Sequence, residues 1–347
     1  MLKQLLRRYN HYRLQKYFQS PLFHARKSYA FVGFGIHSMT NLYPLLRHFN
    51  VRLKYICTHH SDWQEQLAPL FPNCSFSNDL KDVRQDDDIA GVFVCASPDA
   101  HYPIITDLLG AGKSVWVEKP PCLTLRQLQT LASLQNIKVC KVGLQRRYWP
   151  GNPQVLKNSR TATSYVYQFQ TGAFPGDAYT ELFIHPLDYA RFLFGEYTIQ
   201  SFSRFPDNKG ITLQLHVLHA NNVSGLIHLS THSGWNPPLE YLTINGDKET
   251  LTVQYPTTVT GRQIPFRILN IPAERWLNRP VLTKEYFSGS PSLLPTAGTN
   301  SWLTQGFLPE IETFVSLVEG RPVKPNVATN DLPSLLGIYD IIEKLKG

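Results

Sequence analysis

From residue 28 to residue 143 the chain repeats one unit, a short continuous apolar run followed by a helix-length segment. The runs stand near 28–32 (SYAFV), 51–57 (VRLKYIC), 74–77, 89–95 (IAGVFVC), 114–118 (SVWVE) and 137–143 (IKVCKVG). Such alternation is the signature of βαβ units, and strands apolar along their whole length belong to a parallel sheet covered on both faces. From about residue 160 the rhythm changes. TSYVYQFQ, TLQLHVLHA, VSGLIHLSTHS and YLTINGDKETLTVQY alternate apolar with polar positions, which predicts a largely antiparallel sheet with only one face packed. The tail returns to helix over 302–319 and 331–346, and the proline- and glycine-rich stretch 288–298 reads as a loop or lid. No internal repeat is present. The expected fold class is therefore α/β: a doubly wound parallel sheet followed by an α/β domain with a large, mostly antiparallel open sheet.

Composition narrows the function classes. No stretch approaches eighteen consecutive apolar residues, so no membrane-spanning helix is expected. Five cysteines (Cys57, Cys74, Cys95, Cys122, Cys140) lie in apolar segments without C-x-x-C or His-paired spacing, which argues against a disulfide framework and against a metal site. A reducing, cytoplasmic setting follows. The net charge of +8 is local: Lys3, Arg7, Arg8, Arg13, Lys16, Arg26 and Lys27 fall in the first 28 residues, which contain no acid. A nearly neutral body offers no basic face for nucleic acid. Within that segment Leu2, Leu5, Leu6 and Tyr9 recur at helical spacing until Pro21. Three readings of it stay open: an arm packed on the body or on a second subunit, an interfacial helix in weak contact with anionic lipid, and an organellar leader. A secretory signal does not fit, because no apolar core follows the basic residues.

Directly after the first strand comes GFGIHS, Gly33, Phe34, Gly35, Ile36, His37 and Ser38. Gly33 permits a tight turn and Gly35 lets the backbone approach a pyrophosphate at the next helix, while Ser38 takes the third glycine's place, where a small side chain suffices. An NAD site offers an acid for the adenosine ribose about 20 residues further on. Here the second strand ends in Cys57-Thr58-His59-His60-Ser61. Thr58, His59 and Ser61 can donate to a 2′-phosphate, which favours NADP over NAD, with Asp62 dissenting unless it merely complements the next helix's dipole. At the end of the fifth strand stands Glu118-Lys119-Pro120. In an open parallel sheet ligands lie outside the carboxyl strand ends, so Lys119 points at whatever the cofactor faces.

These features together resemble the Gfo/Idh/MocA oxidoreductases. The resemblance spans most of residues 28–347. Beside GFGIHS and EKP it includes CASPDAH (95–101), VGLQRRYWP (142–150), GDAYTELFIHPLDYARFLFG (176–195) and the terminal NDLPSLLGIYDIIEKL. It implies a basic arm (1–27), a Rossmann dinucleotide-binding domain (28–145) and a C-terminal α/β substrate and oligomerisation domain (146–347). The terminal helix is expected back on the first domain, and the open sheet is implied as the homo-oligomer interface.

The resemblance also implies residue roles. Lys119 and His185 act on a substrate hydroxyl, with Glu181, where the family usually has aspartate, in support. Ser97, Pro98 and His101 meet the cofactor from the loop after the fourth strand, and Gln145 and Arg147 lie where cofactor amide or substrate is held. Two adjacent arginines point to opposite faces, so one of Arg146 and Arg147 enters the cleft; Arg147 is the expected one, where a guanidinium suits an acidic substrate or forms a structural ion pair. Pro186 predicts His185 as an N-cap residue, with Asp188 bonding the first turn's free N–H groups. The resulting expectation is an NAD(P)-dependent oxidoreductase acting on a secondary alcohol or ketone of a sugar, cyclitol or nucleotide-sugar. The alternatives are an imine or biliverdin-like tetrapyrrole reductase and a non-catalytic cofactor-binding sensor or scaffold. No residue announces the substrate, though TGAFPGD and SGWNPPLE are candidates for the pocket wall.

Overall fold

The structure, a computed structural model, describes residues 25–58, 61–236, 238–265, 267–269, 271–272, 282–289, 303–325 and 327–347, with isolated positions among the first twelve. The basic arm, His59 and nearly all of the 288–298 stretch fall outside the described residues.

The first sheet is built from β1 (Ser28–Val32), β2 (Arg52–Cys57), β3 (Ser75–Ser77), β4 (Ile89–Val94), β5 (Ser114–Val117) and β6 (Cys140–Val142). Its order is β3-β2-β1-β4-β5-β6, with every neighbouring pair parallel. Helices α1 (Tyr43–His48), α2 (Ser61–Leu67), α3 (Leu80–Gln85), α4 (Pro98–Gly110) and α5 (Leu125–Ala132) connect the strands. β1 is buried at every position and β4 at all but Ala90, the outcome expected of strands apolar on both sides. The strand order reverses direction between β1 and β4, so a crevice opens above their carboxyl ends.

After α6 (Asn152–Ser159) come β7 (Ala162–Gln170), α7 (Ile184–Phe194), β8 (Tyr197–Pro206), β9 (Ile211–His219), β10 (Ser224–Ser230), β11 (Leu239–Gly246), β12 (Glu249–Gln254) and β13 (Thr258–Gln263). A short ribbon, β14 (Arg267–Ile268) with β15 (Ile271–Pro272), precedes β16 (Thr283–Ser288). The second sheet runs β16-β13-β12-β11-β7-β10-β9-β8; only β7 and β10 pair in parallel. Period-2 patterning sets its faces. Tyr165, Tyr167 and Phe169 of β7 and Leu213, Leu215 and Val217 of β9 are buried, and Tyr165 stacks on Phe194 of α7 at 4.3 Å. The opposite face carries exposed Val166, Leu218 and Leu226.

Both terminal helices return to the first sheet. α8 (Phe307–Glu319) buries Ile311, Phe314 and Val315 with Tyr29, Phe31, Phe93 and Trp116; the Phe314 ring meets Phe93 edge-on at 5.1 Å. α9 (Leu332–Lys346) packs against α5 and α7. Just before it, Asp331 accepts from Lys141 Nζ at 2.6 Å and from the Val142 N–H at 3.1 Å, both buried. The helix expected from residue 302 runs from Phe307, because Gly306 turns the chain with φ +94° against Gln145, whose carbonyl oxygen would lie 2.2 Å from any Cβ at that glycine. Strands β8, β13 and β16 were not legible as separate alternating runs. Among the described residues no helix is long and apolar enough to cross a membrane, and no group of His, Cys, Asp or Glu is arranged to hold a metal ion.

Candidate active site

The glycine loop is shaped by backbone constraint. Gly33 has φ +83°, and a Cβ there would stand 2.4 Å from the Ala96 backbone nitrogen, so no other residue fits. A Cβ at Gly35 would meet nothing within 4 Å. The open side of Gly35 is the cradle that a dinucleotide's pyrophosphate requires, and the chain fits that cofactor here. Ser38 is buried and donates to the Gly33 carbonyl at 3.1 Å, fastening the loop to the helix in place of the third glycine. Ile36 is exposed beside it. His37 reaches across the crevice to Glu118, with Nε2 3.1 Å from Oε1. Burial pushes Glu118 upward, but the His37 hydrogen bond and the charges of His37 and Lys119 outweigh it and hold the carboxyl below its ordinary range.

Around the crevice, Thr58 is buried with its N–H on the Ser77 carbonyl at 2.9 Å. Ser97 is the N-cap residue of α4 and Pro98 its first helical residue, so this helix's N-terminus opens on the switch point. His101 is not at the surface of the crevice. It is buried behind the Glu118-Lys119-Pro120 turn and bonds the Pro120 carbonyl through Nδ1 at 2.7 Å, so it supports the turn rather than lining the cleft.

Lys119 and His185 meet at a cavity of about 380 Å³ between the two sheets, lined also by Gln145, Arg146, Trp235 and Glu240. Lys119 Nζ donates to the backbone carbonyl of Glu181 at 2.7 Å. Burial lowers its pKa, opposed by Glu118 and Glu181 and assisted by Arg146. The Glu181 carboxylate is engaged elsewhere: Oε1 accepts the Asp177 N–H at 2.9 Å. Glu181 thus reaches the lysine through its main chain, not through the side chain expected to support catalysis.

His185 is not an N-cap. Its helix starts earlier, where Asp177 accepts from the Tyr179 N–H at 3.1 Å and the Thr180 hydroxyl at 2.8 Å, and a π-turn over Tyr179–Phe183 leads into α7. The neutral imidazole expected from a helix terminus arises from another cause. Burial, then the positive charges of Arg146, Lys119 and His37, hold His185 well below the usual histidine range. Its Nδ1 is buried without a hydrogen-bond partner.

The arginine expected in the cleft is also corrected. Arg147 turns away and pairs with Asp188 through Nε at 2.8 Å and through Nη2, with Ser334 Oγ at 3.0 Å. Asp188 is accordingly an ion-pair partner, not a first-turn cap. Arg146 faces the cavity, because residues 145–148 form a 3-10 turn in which neighbours diverge. Its Nε and Nη2 bond both Glu240 oxygens at 2.8 and 2.7 Å. The guanidinium also lies over the rings of Tyr255 and Phe169 at 4.9 and 5.5 Å, and Tyr167 OH donates to Glu240 at 2.5 Å. Sequence reasoning named SGWNPPLE and TGAFPGD as pocket wall, and Trp235, Glu240 and Thr171 from them do line the cavity. Tyr255 and Gln305, also on the wall, carried no signal, since each owes its place to a turn that only the tertiary fold sets.

Residues 27–145 match the oxidoreductase family with an NAD-binding Rossmann fold. The uncharacterized oxidoreductase YhhX of Escherichia coli is 38% identical over 112 residues, 31% of this chain and 32% of the relative; the chain thus matches about a third of that relative's length. A dehydrogenase from Chromobacterium violaceum shares the fold with TM-score 0.76 at 16% identity, over 92% of this chain and 94% of that one. Levoglucosan dehydrogenase, in complex with NADH and levoglucosan, does so with TM-score 0.71 at 16% identity, over 92% and 96%. Residues 27–145 are thus similar to the NAD-binding domain of the Gfo/Idh/MocA oxidoreductases, and the two sheets together share the fold of these solved dehydrogenases.

Proposed function

We propose that the chain is an NAD(P)-dependent oxidoreductase acting on a secondary alcohol or ketone of a sugar, cyclitol or nucleotide-sugar. The observation that carries this reading is the meeting of Lys119 and a neutral His185 in one cavity beside the dinucleotide crevice. Gly33, Gly35, Ile36, His37 and Ser38 would hold the cofactor's pyrophosphate side, with Ser97, Pro98, Glu118 and Gln145 along the crevice. When bound, the nicotinamide supplies hydride transfer. His185 accepts the hydroxyl proton during oxidation and returns it during reduction, a task suited to an imidazole uncharged at pH 7. Lys119 donates to the same oxygen and stabilises charge developing on it. Arg146 keeps both groups poised by disfavouring further positive charge.

NADP is favoured over NAD by Thr58 and by the absence of an acid at the end of β2, whereas the NADH bound to levoglucosan dehydrogenase favours NAD for that neighbour. Titration with NADH and NADPH, read by energy transfer from tryptophan, decides between them. Lys119→Ala and His185→Ala are each expected to lower turnover about a hundredfold or more while nearly keeping cofactor affinity; near-wild-type rates in both variants would refute the assignment. The open face of the second sheet, where Leu226 is 54% exposed on the same side as Val166 and Leu218, is proposed to pair with a second copy. Leu226→Glu is then expected to yield a monomer by light scattering, and an unchanged mass would count against that interface.

A further inference from the structure

The body, nearly neutral in sum, gathers cations at one end. A cleft of about 750 Å³ lies across the amino ends of the first sheet, where Ser28 starts β1, Arg52 starts β2, Ile89 starts β4 and Ser114 starts β5. Among its described lining residues Arg26, Lys27, Arg52, Lys113 and Lys138 face only two acids, Asp87 and Asp88. Asp88 is already held by Lys54, at 2.9 Å. Two of the cations are bonded to neutral acceptors: Lys27 Nζ donates to the Val318 carbonyl and Lys113 Nζ to the Asp86 carbonyl, each at 2.6 Å. Arg26, Lys27, Arg52 and Lys138 are exposed, so the excess positive charge is presented to solvent.

The basic arm leaves from the same end. The N–H groups of Arg26 and Lys27 donate to the Glu319 carboxylate at 3.0 and 3.1 Å, and the Tyr29 hydroxyl adds a third bond at 2.9 Å, which ties the root of the arm to the last turn of α8. Within the arm the described positions 4–6, 8, 9 and 12 are helical, and Leu5, Leu6, Tyr9 and Tyr12 are each more than half exposed. At spacings i, i+1, i+4 and i+7 these four share one helix face. Arg8 flanks them, and the sequence around them adds Lys3, Arg7, Arg13 and Lys16 without an acid. An apolar face bordered by cations suits a lipid interface, where leucines enter the acyl boundary and cations meet anionic headgroups. Nucleic acid has no use for the leucines, and a second copy would bring the same positive end against its own. The cofactor crevice opens at the opposite, carboxyl ends of the strands, and β1, five residues long, spans about 17 Å between the two.

We infer that the amino end of the first sheet, together with the apolar face of the arm, is a docking surface for an anionic lipid bilayer. A single apolar or basic signal binds a bilayer marginally and stable attachment takes two; this end of the chain holds both. A chain docked there keeps its crevice turned toward solution. The test is co-sedimentation of the full chain with phosphatidylcholine vesicles, with and without phosphatidylglycerol, at physiological and at high salt. Binding is expected only with phosphatidylglycerol and should fall as salt rises. Each Lys or Arg near an anionic surface contributes about fivefold in affinity, so Arg52→Gln/Lys138→Gln should weaken binding about twenty-fivefold. Leu5→Gln/Leu6→Gln should weaken it about tenfold or more. Both double variants should melt with the wild type, and NADH or NADPH affinity should be the same on the vesicle as in solution. Sedimentation with neither vesicle, equal sedimentation with both, or wild-type binding in either double variant would each overturn the inference. So would a lower mass of Leu5→Gln/Leu6→Gln by light scattering, which assigns the arm to a second copy, or tighter binding of a single-stranded RNA than of the anionic vesicles. A cofactor affinity present in solution and lost on the vesicle would refute the orientation.

Discussion

Replacing Glu240 by leucine should cost far more than replacing Glu240 and Arg146 together. The pair is buried, with side-chain exposures of 9% for Arg146 and 5% for Glu240. Glu240→Leu leaves a guanidinium with two unmet donors between Tyr255 and Phe169, and such orphaned buried charges cost about 3–5 kcal/mol. Against a total stability of about 5–15 kcal/mol, that is a large fraction. Arg146→Met/Glu240→Leu removes both charges and leaves only the Tyr167 hydroxyl without its acceptor, at about 1–3 kcal/mol. A double-mutant cycle read by urea unfolding should therefore give a coupling of about 2 kcal/mol or more. The same variants carry an electrostatic readout. Arg146 lowers the pKa of both His185 and Lys119, so Arg146→Met raises both. Because His185 must be neutral to accept a proton, the acid limb of the pH–rate profile in oxidation lies below the usual histidine range and should move upward in Arg146→Met. Singles that unfold with the wild type, or an acid limb that stays in place, would refute this account.

Two further outcomes separate fold from function. Gly35→Ala places a methyl in empty space and should leave the melting temperature nearly unchanged while weakening NAD(P) at least about tenfold; Gly33→Ala, at φ +83° against the Ala96 backbone, should instead destabilise the whole chain. Glu310 is fully buried, with one oxygen on the Leu144 N–H at 2.7 Å and the other unpartnered, and burial raises its pKa well above 4.5, assisted by Glu118. The folded chain thus retains a proton that the unfolded chain releases near 4.5, so stability falls as pH rises from there through the folded pKa. Glu310→Gln should match or exceed the wild type in urea at pH 7 and flatten that dependence; a loss beyond about 1 kcal/mol would mean that Glu310 is folded as a carboxylate.

The first sheet was legible because its central strands β1, β4 and β5 are apolar on both faces and their junctions carry their own chemistry: glycines after β1, Glu118-Lys119-Pro120 after β5. The second sheet was legible where alternation ran long, as in β7 and β9, and not in β8, whose positions from Gln200 onward are largely exposed and follow no inside–outside period. Individual cavity residues were legible only as residue types. The sequence holds two arginines at 146 and 147, but which one faces the cavity is decided by a 3-10 turn and by acids at 188 and 240, each on a different element. The reach of Glu181 was equally hidden, since its carboxylate is claimed by an N–H four residues before it.

The proline that misled the reading of His185 stands in the first turn of α7, after a π-turn has already begun the helical path. Pro186 has no N–H to return along the helix. The carbonyl four residues back, which such an N–H would have met, is that of Leu182. The carbonyl one residue earlier, that of Glu181 within the π-turn, accepts from Lys119 Nζ at 2.7 Å. The helix that widens just before His185 thus presents a backbone oxygen that orients the lysine opposite it. The lysine is held by a neutral acceptor rather than by a carboxylate on its ammonium, and burial depresses its pKa, against the charges of Glu118 and Glu181 and with the assistance of Arg146. Desolvation and the Arg146 charge thus act in the same direction on both cavity groups, with Glu118 and Glu181 opposing them at the lysine and Lys119 and His37 adding to them at the histidine.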